Sequence, residues 1–101
     1  YGLAQHMPRS EQYGITSQML RSVVSVPANI AEGRQRGTRR DYAHFVSIAR
    51  GSLAETETYL KLAARLGLLD RQAIQMVLAD ADDLGRMLSR LRLSLIGEPR
   101  T

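Results

Sequence analysis

The chain has 101 residues, a length that suits a single domain over residues 1–101. It contains no cysteine, which excludes a disulfide framework and a thiolate metal site and suits a reducing cytoplasm, where we expect the protein to act. No run of about 18 uncharged apolar residues is present, so the sequence predicts no membrane span. The net charge of +4 comes entirely from residues 1–50, where seven arginines outnumber three acidic residues; residues 51–101 carry seven of each sign. Such an asymmetry is typical of a surface that faces an anion.

The first half of the chain predicts the end of one helix and a second, complete helix. Residues 1–7 resemble a helix end that Pro8 stops, and residues 8–11 read as a turn. A helix is then predicted over residues 12–34, with a kink at Pro27 or, as the alternative, two shorter helices. Its apolar face has spacings of three and four residues and comprises Ile15, Met19, Val23, Val26 and Ile30.

The second half predicts two long helices, over residues 39–66 and 70–96. Thr38 is a favourable N-cap for the first of these, and Gly67 is a favourable stop. Asp70 can cap the last helix, whose apolar residues alternate spacings of three and four in an a/d seam: Ile74, Val77, Ala81, Leu84, Leu88, Leu91 and Leu95. Because the link between them is short, these two helices must be antiparallel.

The predicted fold class is therefore all-α, an antiparallel bundle of four helices. Three complete helices and one helix end leave one side of the core open, so either further residues of helix one or another chain must cover it. Second apolar stripes on helices two and three indicate a protein interface or, as the alternative, a well-filled core. They consist of Leu20, Val24, Ala28 and Ala31 on helix two and of Ile48, Tyr59, Leu62 and Leu66 on helix three.

Four arginines between helices two and three form a candidate nucleic-acid contact, namely Arg34, Arg36, Arg39 and Arg40. They lie at the start of helix three, where the helix dipole and free N–H groups favour anions. Arginine binds phosphate through a bidentate fork, so a salt-sensitive, sequence-independent contact to a nucleic-acid backbone is predicted. The alternative is a solvated helix end or a subunit-pairing surface, and no aromatic residue within the cluster supports base stacking.

A second set of polar residues predicts a structural network that fixes helix register and subunit geometry, because buried charges must be paired. Its members are Arg21, Asn29, Glu32, Glu55 and Glu57. A ligand site and a solvated face remain the alternatives.

Catalytic and metal sites have little support. Asp41-x-x-His44 is the one approximation to the Glu-x-x-His pairs of a di-metal bundle, and a single such pair is a weak signal. The chain has no nucleophile elbow and no phosphate loop. We therefore expect no enzyme activity, no metal and no cofactor.

Two motifs resemble a known family. Residues 13–33, YGITSQMLRSVVSVPANIAEG, and residues 51–60, GSLAETETYL, are similar in content and order to the four-helix-bundle proteins first noticed in intervening sequences of bacterial 23S rRNA genes. The resemblance continues through residues 66–69 and 86–88 and covers residues 1–96. The family's opening pattern joins at Tyr1, so we expect most of helix one to precede this sequence.

The resemblance implies an up-down-up-down bundle and a ring-shaped homopentamer, which favours an interface on the second apolar stripes. A related branch, the accessory variability determinant of diversity-generating retroelements, is a basic pentamer that binds nucleic acid and a reverse transcriptase. Three residues depart from the family pattern: Leu20 replaces a basic residue, and Thr56 and Tyr59 replace leucine and glutamine. The lost charge weakens the transfer of nucleic-acid binding. The resulting hypotheses are a non-enzymatic, homo-oligomeric scaffold that binds RNA or DNA, and a protein-binding adaptor ring whose arginines are incidental.

Overall fold

The computed structural model describes residues 8–97, which form three α-helices connected by short links. Helix α1 spans Arg9–Arg34, α2 spans Arg39–Leu66 and α3 spans Arg71–Ile96. No β-strand occurs within the described residues. None of the three helices is both long and apolar enough to cross a membrane. The predicted end of helix one, at residues 1–7, lies outside the described residues.

Helix α1 begins three residues earlier than the sequence predicted. Pro8 is its N-cap, with φ −56° and ψ 145°, and the Pro8 carbonyl accepts hydrogen bonds from the amides of Glu11 and Gln12 at 3.0 and 3.1 Å. The turn predicted at residues 8–11 was wrong because proline disrupts a helix through its missing N–H and through the clash of its ring with the preceding turn, and neither effect applies at the N-cap. The alternative of two helices broken at Pro27 was also wrong, since α1 continues through Pro27.

The helix ends in the rest of the described chain follow the expected side chains. The Thr38 hydroxyl accepts a hydrogen bond from the Asp41 amide at 3.1 Å, and the Asp70 carboxylate accepts one from the Ala73 amide at 3.3 Å. Gly67 ends α2 with φ 76°, and the following amide of Leu68 donates to the Ala63 carbonyl at 2.9 Å. The left-handed conformation at Gly67 lets the chain reverse within a few residues.

The three helices form a single layer in which α2 lies between α1 and α3. The molecule measures 60 × 23 × 13 Å, and α2 contacts both neighbours. The core therefore follows α2, where Val46 and Ala49 are fully buried, and it includes Val26 from α1 and Leu88 from α3. Because one layer buries only the surfaces that face α2, much of the apolar surface of α1 and α3 stays open.

The a/d seam of α3 shows the effect of this arrangement. Ile74, Ala81 and Leu88 face α2 and are buried. The alternating positions Val77 and Leu84 are only partly covered, and Val77 is 48% exposed. The other seam residues, Leu91 and Leu95, are half-buried against the core like Leu84, so Val77 is the most accessible position of the seam.

Glycine at position 33 permits the close approach of α1 to α2. A Cβ atom there would lie 2.8 Å from the Phe45 Cβ atom and 2.9 Å from the Tyr42 Cδ1 atom. Both distances are shorter than a normal carbon–carbon contact, so a larger residue would push the helices apart.

Candidate functional site

The candidate arginine cluster lies at the end of the molecule where α1 ends and α2 begins. Arg39, the first residue of α2, reaches the last turn of α3. Its Nε atom donates to the Leu95 carbonyl at 3.3 Å, and its Nη2 atom donates to the Ser94 carbonyl at 2.5 Å. The last turn of α3 has no basic residue of its own, so Arg39 supplies the positive charge that favours a helix C-terminus.

Arg36 is also held by neighbouring side chains. Its guanidinium lies 3.0 Å from the Glu32 carboxylate, and its central carbon is 4.9 Å from the centroid of the Phe45 ring. Both members of the ion pair are about half exposed, so the pair is solvent-screened. A phosphate would have to compete with Glu32 for this side chain.

Arg34 and Arg40 are different, because both are exposed and neither makes a hydrogen bond or ion pair within residues 8–97. Arg34 is the last residue of α1, and Arg40 is the second residue of α2. The structure therefore brings the four predicted arginines to one end of the molecule but leaves only two free to meet an anion. The contacts of Arg39 could not be read from the sequence, since its partners lie 55 and 56 residues away, whereas Glu32 and Arg36 have the four-residue spacing of a helical ion pair.

The predicted polar network does not form within the described chain. Glu32 pairs with Arg36, and Asn29 donates to the Ser25 carbonyl at 2.8 Å. The remaining members, Arg21, Glu55 and Glu57, make no ion pair with one another, and Arg21 and Glu55 are exposed. Within one chain these exposed charges do not form the predicted network, since exposed charges retain their hydration without an internal partner. A role for these residues between subunits stays a prediction.

Short hydroxyl side chains form the actual polar contact between α1 and α2. The Thr56 hydroxyl donates to the Ser22 hydroxyl at 3.0 Å in a buried position, and the hydroxyls of Ser25 and Ser52 lie 2.7 Å apart. The Ser22 hydroxyl also donates to the Met19 carbonyl at 2.8 Å. No buried side-chain nitrogen or oxygen of the described chain lacks a partner. The three-residue spacing of Ser22 and Ser25 was the available sequence signal, and the interpretation missed it.

The second apolar stripes are largely uncovered by the chain itself. On α1, Leu20 and Val24 are 56% and 63% exposed. On α2, Ile48 and Leu62 are 39% and 38% exposed, whereas Leu66 is buried. The described chain therefore presents apolar surface on two of its helices, and the predicted interface on these stripes stays a prediction.

No arrangement for metal binding or nucleophilic catalysis stands out in the part of the chain that the structure describes. No group of three potential metal-ligating side chains occurs there. His44 instead contacts Phe45 edge-on, with ring centroids 5.4 Å apart. On α3, hydrogen bonds to Asp82 and then Asp83 raise the pKa of Arg86, so these three charges are satisfied locally.

Comparison with known proteins places this fold in a family. The family model described as 23S rRNA-intervening sequence protein matches residues 1–90. A solved structure of a protein of unknown function from the S23 ribosomal protein family of Bacteroides thetaiotaomicron is similar, with a TM-score of 0.75 and 28% identity. That similarity covers 89% of this chain and 80% of the other. No curated protein matches the chain. The predicted relation to the accessory proteins of retroelements stays a prediction, but the match over residues 1–90 is decisive for the family: the chain belongs to the 23S rRNA-intervening sequence proteins.

Proposed function

We propose that the protein is a non-enzymatic, self-associating helical scaffold. The observation that carries the proposal is the exposed apolar surface on α1 and α2, because a monomeric protein rarely leaves connected apolar patches in water. Leu20 and Val24 on α1 are each more than half exposed. A second copy of the chain would remove such residues from water. The lack of cysteine suits a reducing cytoplasm, where the proposal places the scaffold.

The proposal includes a fourth helix and a closed ring. A helix seated between α1 and α3 would cover the part of the α3 seam that α2 leaves accessible, namely Val77 and the exposed side of Leu84, and would complete an up-down-up-down bundle. The resemblance of residues 13–33 and 51–60 to the family implies a pentamer. Support for the ring comes from this resemblance and from the uncovered apolar stripes.

The scaffold would bind RNA or DNA at the arginine end of each subunit. Arg34 and Arg40 are free of internal partners and flank the N-terminus of α2, where phosphate oxygens are favoured. A ring would repeat this pair in every subunit, so the fields would add. The contact would be to the phosphate backbone, without base specificity.

A second candidate, an adaptor ring that binds another protein and no nucleic acid, is favoured by the internal contacts of the other two arginines. Arg39 binds the carbonyls at the end of α3, and Arg36 pairs with Glu32. With these two held, the cationic surface per subunit is smaller than four arginines would provide.

Light scattering with and without a short mixed-sequence RNA, at low and high salt, separates the two candidates. The scaffold proposal expects an oligomer that gains RNA mass at low salt and loses it at high salt, because each phosphate contact releases counterions. Replacing Arg34 and Arg40 by glutamate should abolish the gain. The matched control reverses Arg65 and Arg71, two exposed arginines near the opposite end of α2, and should retain RNA.

Each outcome has a distinct meaning. An oligomer that ignores RNA at low salt would favour the adaptor ring. RNA binding that survives the Arg34 and Arg40 reversal would contradict the assigned surface. A monomer at micromolar concentration would contradict self-association and both candidates with it.

A further inference from the structure

Two opposite charges in the described chain stand among exposed apolar side chains without a partner. Arg21 lies on α1 and Glu55 lies on α2, and both are exposed. Neither makes a hydrogen bond or an ion pair within residues 8–97. Other exposed charges of the described chain, such as Arg50 and Asp80, are also unpaired, so the distinguishing feature of Arg21 and Glu55 is their place beside exposed apolar side chains.

Arg21 adjoins an apolar row on α1, which we call the α1 row and which consists of Tyr13, Leu20 and Val24. Spacings of seven and four residues place the three on one side of the helix. They are 75%, 56% and 63% exposed. At 1.5 Å per residue the row is about 17 Å long. Arg21 lies three residues before Val24 and therefore flanks the row.

Glu55 stands in the middle of a similar row on α2. The α2 row consists of Ile48, Glu55 and Leu62, at intervals of seven residues, so the three side chains follow one line along the helix. Ile48 and Leu62 are 39% and 38% exposed. A Cβ atom at the nearby Gly51 would meet nothing within 4 Å, so the surface beside Glu55 is open. The row is about 21 Å long, comparable with the α1 row.

The charges decide which rows can meet. A two-fold contact between two α1 rows that is centred on the exposed pair Leu20 and Val24 would bring Arg21 close to its own copy, because Arg21 lies between these two residues. A two-fold contact between two α2 rows would place Glu55 opposite Glu55. Both arrangements oppose like charges, which disfavours them. An α1 row on an α2 row instead sets Arg21 beside Glu55.

We infer that the α1 row of one copy packs on the α2 row of the next copy, with Arg21 paired to Glu55 of the neighbouring copy. The inference rests on the proposed self-association and specifies the surfaces that make it. The contact is heterologous, since different helices meet, so each copy offers one row to each of two neighbours. A ring with an odd number of subunits requires this type of contact, because two-fold contacts alone cannot close it.

Charge reversal tests the pairing in the full chain. Arg21→Glu and Glu55→Arg should each weaken assembly about tenfold or more, as measured by light scattering over a concentration series, because each leaves like charges opposed. The double variant Arg21→Glu/Glu55→Arg should recover most of the lost assembly, since each contact again joins a positive and a negative side chain, with their positions exchanged. Arg90→Glu and Asp80→Arg are matched controls on α3 and should assemble like the original chain.

The outcomes separate the pairing from the broader proposal. If the unaltered chain is a monomer, self-association itself fails and the pairing fails with it. If the unaltered chain assembles and both single reversals assemble equally well, the pairing is overturned and self-association stands. The same conclusion follows if the double variant assembles more weakly than either single variant. Circular dichroism shows whether each variant is folded. Should a reversal unfold the chain, Arg21→Gln and Glu55→Gln replace it, and a loss in both with no further loss in the double variant supports the pair.

Discussion

Replacing Gly33 by alanine should destabilise the protein, although alanine is the better helix former. The new Cβ atom would lie 2.8 Å from the Phe45 Cβ atom, which is fixed to its backbone and cannot rotate away. Overpacking of this kind costs about 1–3 kcal/mol, and the helix-propensity gain of alanine offsets up to about 1 kcal/mol. The expected net loss is about 1–2 kcal/mol, which lowers Tm by roughly 4–15 °C in a domain of this size.

Thermal unfolding followed by circular dichroism, at one fixed protein concentration, measures the effect. A fixed concentration is needed because self-association would add to apparent stability. Gly14→Ala and Gly51→Ala are the controls: both glycines lie within helices, and a Cβ atom at either would meet nothing within 4 Å. These two variants should be stabilised by up to about 1 kcal/mol each. A Gly33→Ala protein as stable as the controls would refute the close approach of α1 to α2.

Three further substitutions test contacts that the structure assigns. Thr56→Val removes the buried hydrogen bond to Ser22 and should lower the free energy of unfolding, measured in urea, by about 0.5–1.5 kcal/mol. The double variant with Ser22→Ala should lose less than the sum of the two single losses, and an additive loss would contradict the contact. Gly67→Ala forces a side chain into φ 76° and should cost about 1 kcal/mol or more, and an unchanged midpoint would contradict the left-handed turn. Arg39→Ala should lower the free energy of unfolding by about 0.5–1 kcal/mol, because the carbonyls at the end of α3 lose their cationic donor, whereas Arg40→Ala should leave it unchanged. Equal effects of the two substitutions would contradict the role of Arg39 at the end of α3.

The local signals in the sequence determined most of the helix boundaries. Thr38, Gly67 and Asp70 act through atoms within a few residues of themselves, so their roles are readable without the fold. The start of α1 was missed because Pro8 was interpreted as a break, although proline is equally compatible with a helix beginning after it. Local patterns therefore predict capping residues well, but they do not show whether a proline ends one helix or precedes the start of another.

The candidate site was less predictable because it depends on contacts between distant residues. Arg39 and Arg40 are adjacent and chemically identical, yet only Arg39 reaches the end of α3. The difference arises from the direction each side chain takes around α2, about 100° apart, and from the place where α3 happens to end. Similarly, Ser22 and Thr56, and not the charged residues, make the buried polar contact. Their short hydroxyl side chains fit between closely packed helices and also donate hydrogen bonds to carbonyls of their own helices.

Gly33 and the hydroxyl contacts connect the packing of one subunit to the proposed assembly. Close approach at Gly33 and the Ser22–Thr56 hydrogen bond fix α1 on α2 at two levels along the helices. This rigid pair sets the direction of Arg21 relative to Glu55, which lies one residue before Thr56. A variant that loosens the pair, such as Gly33→Ala, should therefore weaken assembly without altering either charge. The charge-reversal variants should also weaken assembly but should leave subunit stability unchanged. Measuring both assembly and stability therefore distinguishes a distorted subunit from a lost charge pair.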